Sequence, residues 1–302
     1  MAKFSTMTTT TVPSLLAVGT METFDDIYSK RRDGFYVKDL FTFKTTDKDH
    51  EHLQEFGAAP EPVAWQGAVT YESPNEGYTK TLTPAHYDIG FQIDKQLKLV
   101  DQYGIASSRA SSYAEGFARY EEQNGMDLFN NSFTTETSAD TRPLCDTAHT
   151  TKVDSTTFSN KDTLQFNRAN LWTAYNAARM IKNDRNQVRM GVFDEVLASM
   201  AKQEMGFEIN GSEKRPHTAD NEPNYFAGTF KMRFSPFLTN NYYWWLMDGA
   251  MRKRELTWLD LEPMTYETAY DMDTRAYKFA WHRQWARGAT GFRFIYGCAA
   301  TS

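Results

Sequence analysis

The sequence has few of the features that mark secreted, membrane-spanning or redox-active proteins. It contains two cysteines, Cys145 and Cys298, in 302 residues, which are too few for a disulfide framework and have no metal-type spacing. No run of about 18 apolar residues could form a spanning helix. The N-terminus MAKFSTMTTTTVPS also lacks the apolar core of a secretion signal. These absences predict a cytosolic product with free thiols and no membrane partner.

Positive charge is also scarce at any one place. The net charge is -6, and the basic runs at 30–32 and 252–254 are short and flanked by acids. A tight nucleic-acid binder carries a basic face, because neutralised phosphates supply most of its affinity. The sequence therefore does not indicate a sequence-specific nucleic-acid binder.

Common enzyme signatures are missing as well. The chain has no G-x-x-x-x-G-K-[ST], no G-x-G-x-x-G after a strand, no G-x-S-x-G and no H-E-x-x-H. Cys145 and His149 in PLCDTAHT have the residue types of a thiol nucleophile and its base, but a reactive thiol also needs a nearby cation and an orienting group. We therefore interpret this stretch as a loop and predict no catalytic residue.

Two further clusters carry chemical groups without a convincing pattern. The histidines of Asp49-His50-Glu51-His52 alternate, which suits one face of a strand better than a helical zinc site. Glu121-Glu122 and Asp271-Met272-Asp273 are best explained as a charged helix face and a turn. The sequence thus predicts no metal site and no cofactor.

Aromatic residues, in contrast, are abundant. The chain is 40% hydrophobic and 15% aromatic, which is typical of a folded protein. Residues 242–247 (YYWWLM) form a near-continuous apolar run between Asn240-Asn241 and Asp248-Gly249. Such a run favours a strand buried on both faces over a ligand-stacking platform. The candidate core residues are Tyr242, Tyr243, Trp244, Trp245 and Leu246.

Helical periodicity occurs in four places. The pattern predicts a short helix from Met21 to Arg32 after a polar arm, and a long helix from about Gln96 to Phe133 that is broken near Gly104. Two more helices are expected around residues 164–178 and 193–206, the latter ending at Gly206.

Strand patterns occupy the rest. Residues 35–44 alternate with period 2, and short apolar pieces recur near 230–234, 242–247, 256–258, 277–281 and 292–296. Residues 45–90 are polar and carry a turn signal at 73–77, which predicts a hairpin with its tip there. This hairpin has too little apolar surface for a core of its own, so we expect it to lie on another part of the protein or on another copy.

The order of these pieces resembles the major capsid proteins of tailed bacteriophages with the HK97-type fold, most closely the Mu-like major head subunits. The element PLCDTAHT after the long helix, the stretch Asn224-Tyr225-Phe226-Ala227-Gly228, SPFLTNNYYWWLMDG and the closing segment YETAYDMDTRAYKFAWHRQWARGATGFRFIYG carry the resemblance. It covers most of residues 21–300. One departure lies at 186–200, where VRMGVFDEVLASM replaces an apolar V-V-P strand and turn.

The resemblance implies an α+β fold with named parts. Residues 1–35 would be an N-terminal arm, 36–92 an extended E-loop, 93–135 and 253–302 a peripheral domain with a spine helix, and 136–252 an axial domain. The E-loop would lie across a neighbouring copy, with candidate contact residues Trp65, Tyr71, Tyr78 and Lys80. Lys44, Lys48 and Lys80 lie in the region of a possible cross-link, but no partner residue can be identified.

The function implied is a self-assembling shell protein, not an enzyme. Hexamers and pentamers would form an icosahedral virion capsid that encloses double-stranded DNA, assembled in the host cytoplasm with separate scaffold and portal proteins and a possible decoration or cement protein. An encapsulin-like compartment subunit is the first alternative. A cytosolic thiol enzyme using Cys145 and His149 is the second.

Overall fold

The computed structural model of the protein describes residues 11–65, 67–69, 71–73, 76–95, 104–152, 156–214 and 222–301. The helices are α1 (Thr11–Asp33), α2 (Val37–Leu40), α3 (Ile105–Asn130), α4 (Arg168–Arg179), α5 (Gln203–Gly211) and α6 (Gly249–Glu255). The strands are β1 (Thr42–Thr45), β2 (Glu51–Phe56), β3 (Glu76–Leu82), β4 (Ala85–Asp94), β5 (His149–Thr150), β6 (Thr157–Phe158), β7 (Lys161–Asp162), β8 (Glu195–Ser199), β9 (Lys231–Ser235), β10 (Tyr243–Met247), β11 (Leu256–Asp271), β12 (Ala276–Ala289) and β13 (Ile295–Ala299).

One sheet has four strands in the order β1-β11-β12-β4. β11 and β12 form a long antiparallel pair, β4 runs antiparallel to β12, and β1 runs parallel to β11. Residues of β12 alternate between buried and partly exposed, as expected for a sheet with one face on the core. Helices α1 and α3 cover that face: Trp281 stacks on Phe24 with ring centroids 4.2 Å apart, and Trp285 meets Phe117 at 5.9 Å.

The second sheet has five strands in the order β7-β13-β10-β8-β9 and is buried on both faces. Trp244 and Leu246 of β10 pack into a cluster that includes Leu171 of α4. Trp245 and Met247 point the other way and join the core that contains α3. Because successive side chains of a strand point to opposite faces, burial on both sides requires the continuous apolar run at 243–247.

The long helix behaves as its pattern predicts at its start and on its apolar face. It begins at Ile105 directly after Gly104, whose φ of 63° is left-handed, so a helix boundary does lie at this glycine, while the break within a longer helix stays a prediction. The predicted segment 96–103 lies outside the described residues. Ala106, Ala110 and Phe117 are buried, because residues spaced three and four apart share one helix face.

Two predicted elements near the N-terminus are corrected by the structure. The first helix begins at Thr11 rather than at Met21. Residues 35–44 are not one strand, since α2 precedes β1. Val37, Leu40 and Phe41 are all buried, which is a helical spacing, and it competes in this short stretch with the period-2 pattern.

The helix predicted at 193–206 is also wrong. Residues 195–199 form β8, in which every residue is buried, and α5 follows only at Gln203–Gly211. A short apolar run that is buried on all sides carries no periodicity to separate helix from strand. This is the stretch where the sequence departs from the pattern of the family it resembles.

The predicted domain limits do not match the sheet pairing at the C-terminus. The sequence places residues 253–302 in one domain with the long helix, but β13 pairs antiparallel with β10 and parallel with β7. It therefore belongs to the five-stranded sheet. Only β11 and β12 of that range lie in the four-stranded sheet.

A buried ionic network joins the five-stranded sheet to the helices α2 and α6. Arg233 of β9 donates to Asp39 Oδ2 at 2.6 Å and to Glu195 Oε1 at 3.1 Å. Arg252 of α6 donates to Glu195 Oε2 at 2.6 Å and to backbone carbonyls of α2. Both arginine side chains are 1% exposed, so their charges are compensated inside the protein.

Candidate interface at the projecting hairpin

The projecting hairpin consists of β2 and β3, paired antiparallel from Glu51 with Leu82 to Phe56 with Glu76. Its connection spans residues 57–75. The tip predicted at 73–77 is misplaced, because Glu76 and Gly77 already belong to β3, while Pro74 and Asn75 lie outside the described residues. The ladder could not continue through residues 60–62, because the prolines at 60 and 62 have no N–H to donate to it.

The base of the hairpin packs on the body of its own subunit. Leu53 and Leu82 form a small apolar cluster with Leu259 of β11. A Cβ atom on Gly288 of β12 would lie 2.6 Å from Leu82 Cδ2. The glycine therefore allows the hairpin to approach the sheet closely.

An ion pair also fixes the base. Arg293 donates to the Glu55 carboxylate and to the backbone oxygen of Lys182. Burial nevertheless raises the pKa of Glu55. The nearby Glu255 is buried as well, and its pKa is raised first by burial and then by the charge of Glu55.

Both ends of the connection are held by the loop that follows α4. The Ala58 amide donates to Asp184 Oδ1 at 2.8 Å, and Arg185 Nε donates to the Ala58 carbonyl at 3.2 Å. Arg185 Nη1 also lies 3.3 Å from Glu72 Oε2. The hairpin is predicted to need support from outside itself. At its base, the body of its own subunit provides that support.

The remainder of the connection, residues 59–71, is called the tip segment here, and the structure describes 59–65, 67–69 and 71 of it. Its large apolar side chains are exposed: Val63 by 61%, Trp65 by 72%, Val69 by 60% and Tyr71 by 91%. Val63, Trp65 and Val69 line a cavity of about 440 Å³. Contiguous exposed apolar surface of this kind marks an interaction site in a soluble protein.

The four candidate contact residues fall into two pairs. Trp65 and Tyr71 are exposed on the tip segment. Tyr78 and Lys80 lie on β3, where Tyr78 Oη is 3.5 Å from Thr150 Oγ1 and Lys80 Nζ is 3.4 Å from Glu136 Oε1. Burial lowers the pKa of Lys80. Tyr78 and Lys80 therefore already contact other residues of their own subunit.

Comparison with known proteins assigns this architecture to a family. The family model described as phage capsid protein matches residues 77–298, which is well over half of the chain. The chain belongs to the phage capsid protein family. No curated protein sequence matches it significantly. The Mu-like subgroup stays a prediction.

Solved structures share the capsid fold at low sequence identity. The capsid of cyanophage P-SCSP1u is 13% identical with a TM-score of 0.60, covering 89% of this chain and 88% of that chain. The procapsid of bacteriophage JBD30 is 10% identical with a TM-score of 0.57, covering 98% and 77%. The virus-like particle from Pyrococcus furiosus is 8% identical with a TM-score of 0.55, covering 94% and 98%.

These matches confirm the predicted α+β HK97-type fold and the predicted function as a phage major capsid protein. The likeness to the Pyrococcus furiosus particle reflects the fold alone, so the compartment alternative is not favoured over the capsid family. Membership of a structural family makes this a structural protein. Within the described ranges, none of the helices has the length and apolar content to cross a bilayer.

The aromatic run of this capsid protein is a structural strand. Trp244, Trp245 and Leu246 are fully buried and Tyr243 is partly buried. Trp245 donates its indole N–H to Ser132 Oγ at 3.0 Å. Tyr242 departs from the predicted core, since it precedes β10 and is 40% exposed, with the Lys202 ammonium 5.2 Å from its ring.

The thiol-enzyme alternative conflicts with the surroundings of Cys145. Burial raises the pKa of this thiol to about 12, so it carries no thiolate near neutral pH. His149 instead contacts Asp140, with 2.7 Å between Nδ1 and Oδ2, and stacks on Phe292 at 3.8 Å. These contacts make the PLCDTAHT loop a structural element of the capsid subunit.

The other chemical clusters are likewise used in local contacts. His50 Nδ1 lies 2.6 Å from Asp49 Oδ1, and His52 Nδ1 lies 2.8 Å from Thr81 Oγ1. No group of three or more His, Cys, Asp or Glu side chains in the described part of the chain could hold a metal. At the β11–β12 turn, Asp271 pairs with Lys278, and this hydrogen bond lowers the pKa of Asp271 to about 2.

Sequence reasoning missed a buried charge cluster beneath the four-stranded sheet. Glu121 and Glu122 are each 2% exposed, so their placement on a solvent face is wrong. Arg283 of β12 lies 2.8 Å from Glu121 Oε2 and 2.8 Å from Asp260 Oδ1. The sequence contains one indication that Arg283 is buried. It lies two residues after Trp281 in the same strand, so both side chains point to the same face, which is the core.

Asn160 was missed for a different reason. This fully buried residue donates its amide to the carbonyls of Leu144, Phe292 and Ile295, at 2.8, 3.1 and 3.1 Å. Its own Oδ1 accepts the Asp146 amide at 2.9 Å. The partners are remote in sequence, so no local pattern marks it.

Proposed function

We propose that this capsid protein forms hexamers and pentamers that close into the icosahedral head of a tailed phage around double-stranded DNA. The observation that carries the proposal is the exposed apolar tip segment on a hairpin whose base is fixed to the body. Repeated head-to-tail contacts between identical subunits close into rings when the rotation allows. Each copy would make several such contacts, so modest affinities would add up to a stable shell.

In this proposal the two sheets correspond to the two domains. The four-stranded sheet with α1 and α3 forms the peripheral domain, and the five-stranded sheet, including β13, forms the axial domain. The hairpin 51–82 is the E-loop, and Trp65 and Tyr71 on it contact a neighbouring subunit. The support is the pairing pattern of the strands and the exposure of the tip.

The proposal extends to location and partners. The protein resides in the virion and assembles in the host cytoplasm, with scaffold and portal proteins and an optional decoration or cement protein. It encloses DNA without sequence-specific binding. This agrees with its net charge of -6, because an acidic protein does not bind the DNA phosphates tightly.

The test is a double substitution in the tip, Trp65→Ser with Tyr71→Ser. Burying one such side chain contributes about 1.5–3 kcal/mol, so each loss should raise the concentration needed for assembly about ten- to a hundredfold. Electron microscopy and size-exclusion chromatography should find soluble subunits in place of particles, with an unchanged circular dichroism melt.

The control is Met272→Ser in the β11–β12 turn. Met272 is 80% exposed and lies outside the hairpin, so this variant should still assemble. Particle yield equal to wild type from the double tip variant would refute the role proposed for the hairpin.

A further inference from the structure

One face of α4 combines aromatic rings with arginines. Arg168, Trp172, Tyr175 and Arg179 occur at the spacing of a single helix face. Trp172 is 53% exposed, its ring lies 6.2 Å from that of Tyr175, and the Arg179 guanidinium lies 5.4 Å from the Tyr175 ring. Such stacking pre-organises an aromatic and cationic surface.

A neighbouring loop widens this surface. Phe226 is buried beneath it, 5.6 Å from the Trp172 ring and 5.9 Å from the Arg168 guanidinium. The preceding residue, Tyr225, is 74% exposed. We call the set Arg168, Trp172, Tyr175, Arg179 and Tyr225 the α4 face.

The tip segment has the complementary chemistry. Residues 59–71 (APEPVAWQGAVTY) contain Glu61 but neither Lys nor Arg. The apolar side chains of the tip are exposed, and Glu61 is exposed beside them. An acidic, aromatic segment therefore fits a basic, aromatic face in both charge and stacking.

We propose that the α4 face of one subunit is the docking site for the tip segment of a second copy. This inference rests on the proposed function, in which the tip crosses to a neighbour, and adds the surface that receives it. Within one subunit Trp172, Arg179 and Tyr225 of the face are exposed, and so are Trp65 and Tyr71 of the tip. Contacts at Ala58 and Glu72 fix the flanks of the tip to Asp184 and Arg185. A second copy can present its tip to this face and its face to this tip.

The aromatic residues would provide most of the contact. Trp and Tyr are the residues that most often dominate binding energy at interfaces, especially where they pack against each other. Trp65 and Tyr71 of the tip and Trp172 and Tyr225 of the face are such residues. Ion pairing between the arginines of the face and Glu61 would fix the position of the tip along the α4 face.

Arginine beside aromatic rings can also stack nucleic-acid bases. We favour the protein partner because the face carries two arginines in a chain whose net charge is -6, and phosphate binding needs a larger basic surface. A crosslink to DNA is therefore one of the outcomes that the experiment below distinguishes.

The direct test places the photo-crosslinker p-benzoylphenylalanine at Trp65 in a mixture of light and 15N-labelled subunits that assembles into particles. Mass spectrometry of mixed light-heavy peptides identifies the receiving surface. Crosslinks to residues 168–179 or to Tyr225 of another copy are expected. Val69 gives a second position for the crosslinker if the first variant assembles poorly.

The other outcomes are distinct. Intersubunit crosslinks to a different surface would overturn the α4 face and leave the proposed function standing. Crosslinks confined to one copy in assembled particles would overturn both the α4 face and the proposed contact of the tip with a neighbouring subunit, although the particles themselves would still agree with a capsid protein. Crosslinks to DNA would replace the protein partner by a nucleic-acid one.

A charge reversal gives an independent check. Arg179→Glu should raise the concentration needed for assembly by about three- to tenfold, and combining it with Glu61→Arg should restore most of that loss. Arg119→Glu, an exposed arginine on α3, is the matched control and should change little. No rescue by Glu61→Arg would count against the pairing.

Discussion

At the residue scale, Glu122 is the side chain with the clearest energetic consequence. Its carboxylate accepts the backbone N–H groups of Tyr36 and Val37 at 3.1 and 2.9 Å. Burial, and to a smaller extent Glu121, raise its pKa to about 7. A buried acid thus holds the segment that leads from α1 into α2.

This acid should make the stability of the subunit depend on pH. Between its ordinary pKa of 4.5 and the raised value of about 7, the folded state binds more protons than the unfolded chain. The free energy of unfolding should therefore fall as pH rises through this window, by on the order of 3 kcal/mol. Glu122→Gln should remove that part of the slope.

Urea unfolding of the assembly-deficient Trp65→Ser, Tyr71→Ser subunit at several pH values would measure this effect. The same background with and without Glu122→Gln is compared, so that the other carboxylates cancel. Identical slopes for the two proteins would show that Glu122 does not titrate in this range.

The misplacement of Glu121 and Glu122 has a plain physical origin. Glu121 is one helical turn beyond Phe117, and Glu122 one turn beyond Ala118, so spacing predicts that both are buried. Residue type predicts the opposite, because carboxylates are almost never buried unless paired. The pairing comes from Arg283, which is 162 residues from Glu121 in sequence, beyond the reach of any local pattern.

At the scale of elements, α3 meets α2 at a glycine. A Cβ atom on Gly125 would lie 2.2 Å from Val37 Cγ2, whereas one on Gly116 of the same helix would meet nothing within 4 Å. Close packing of α3 against α2 therefore requires a glycine at position 125. At position 116 no neighbouring atom requires one.

Alanine substitutions should separate the two cases. Gly125→Ala should destabilise the subunit by about 1–3 kcal/mol through overpacking. Gly116→Ala should stabilise it by about 0.5–1 kcal/mol, since alanine is the better helix former. The midpoints of denaturant unfolding measure both, and equal shifts of the same sign would contradict the packing geometry.

Elements with one buried face were predictable from sequence, and those with two were less so. Amphipathic α3 and alternating β12 carry a period that identifies them. Fully buried β8 carries none, which is why it was expected to be a helix. β10 was recognised because its aromatic run lies between turn residues, although Tyr242 at its edge was included in error.

At the scale of the whole molecule, the ionic network of Asp39, Glu195, Arg233 and Arg252 ties the two sheets together. Hydrogen bonds with Arg252 and Arg233 lower the pKa of Glu195 despite its burial. Removal of one partner from a buried ion pair is strongly destabilising, because it leaves charge uncompensated. Glu195 and Arg233 belong to the five-stranded sheet, while Asp39 and Arg252 belong to α2 and α6, the helices that precede β1 and β11 of the four-stranded sheet. Loss of the network should therefore affect both sheets.

Glu195→Gln should accordingly destabilise the subunit by about 3 kcal/mol. Circular dichroism and tryptophan fluorescence should report one coincident transition at lower denaturant. Glu204→Gln, an exposed site on α5, is the control and should shift the midpoint little. Separate transitions from the two probes would mean that the sheets unfold independently.

The overall architecture was recognisable from the order of sequence elements, but the division into domains was not fully so. β13 returns from the four-stranded sheet to pair with β10. A linear division of the chain cannot represent such a return, because strand pairing is decided by packing between distant segments. The hairpin was likewise recognised as a projection, while its attachments to Asp184 and Arg293 depend on contacts that sequence does not contain.

Both native thiols are enclosed: Cys145 and Cys298 are each 0% exposed, and burial raises the pKa of both. A single cysteine introduced at an exposed position such as Met272 would then be the sole fast-reacting thiol of each subunit. A shell built from such subunits could be conjugated with a fluorophore or peptide at one defined point per copy, without removing any native residue from the interior.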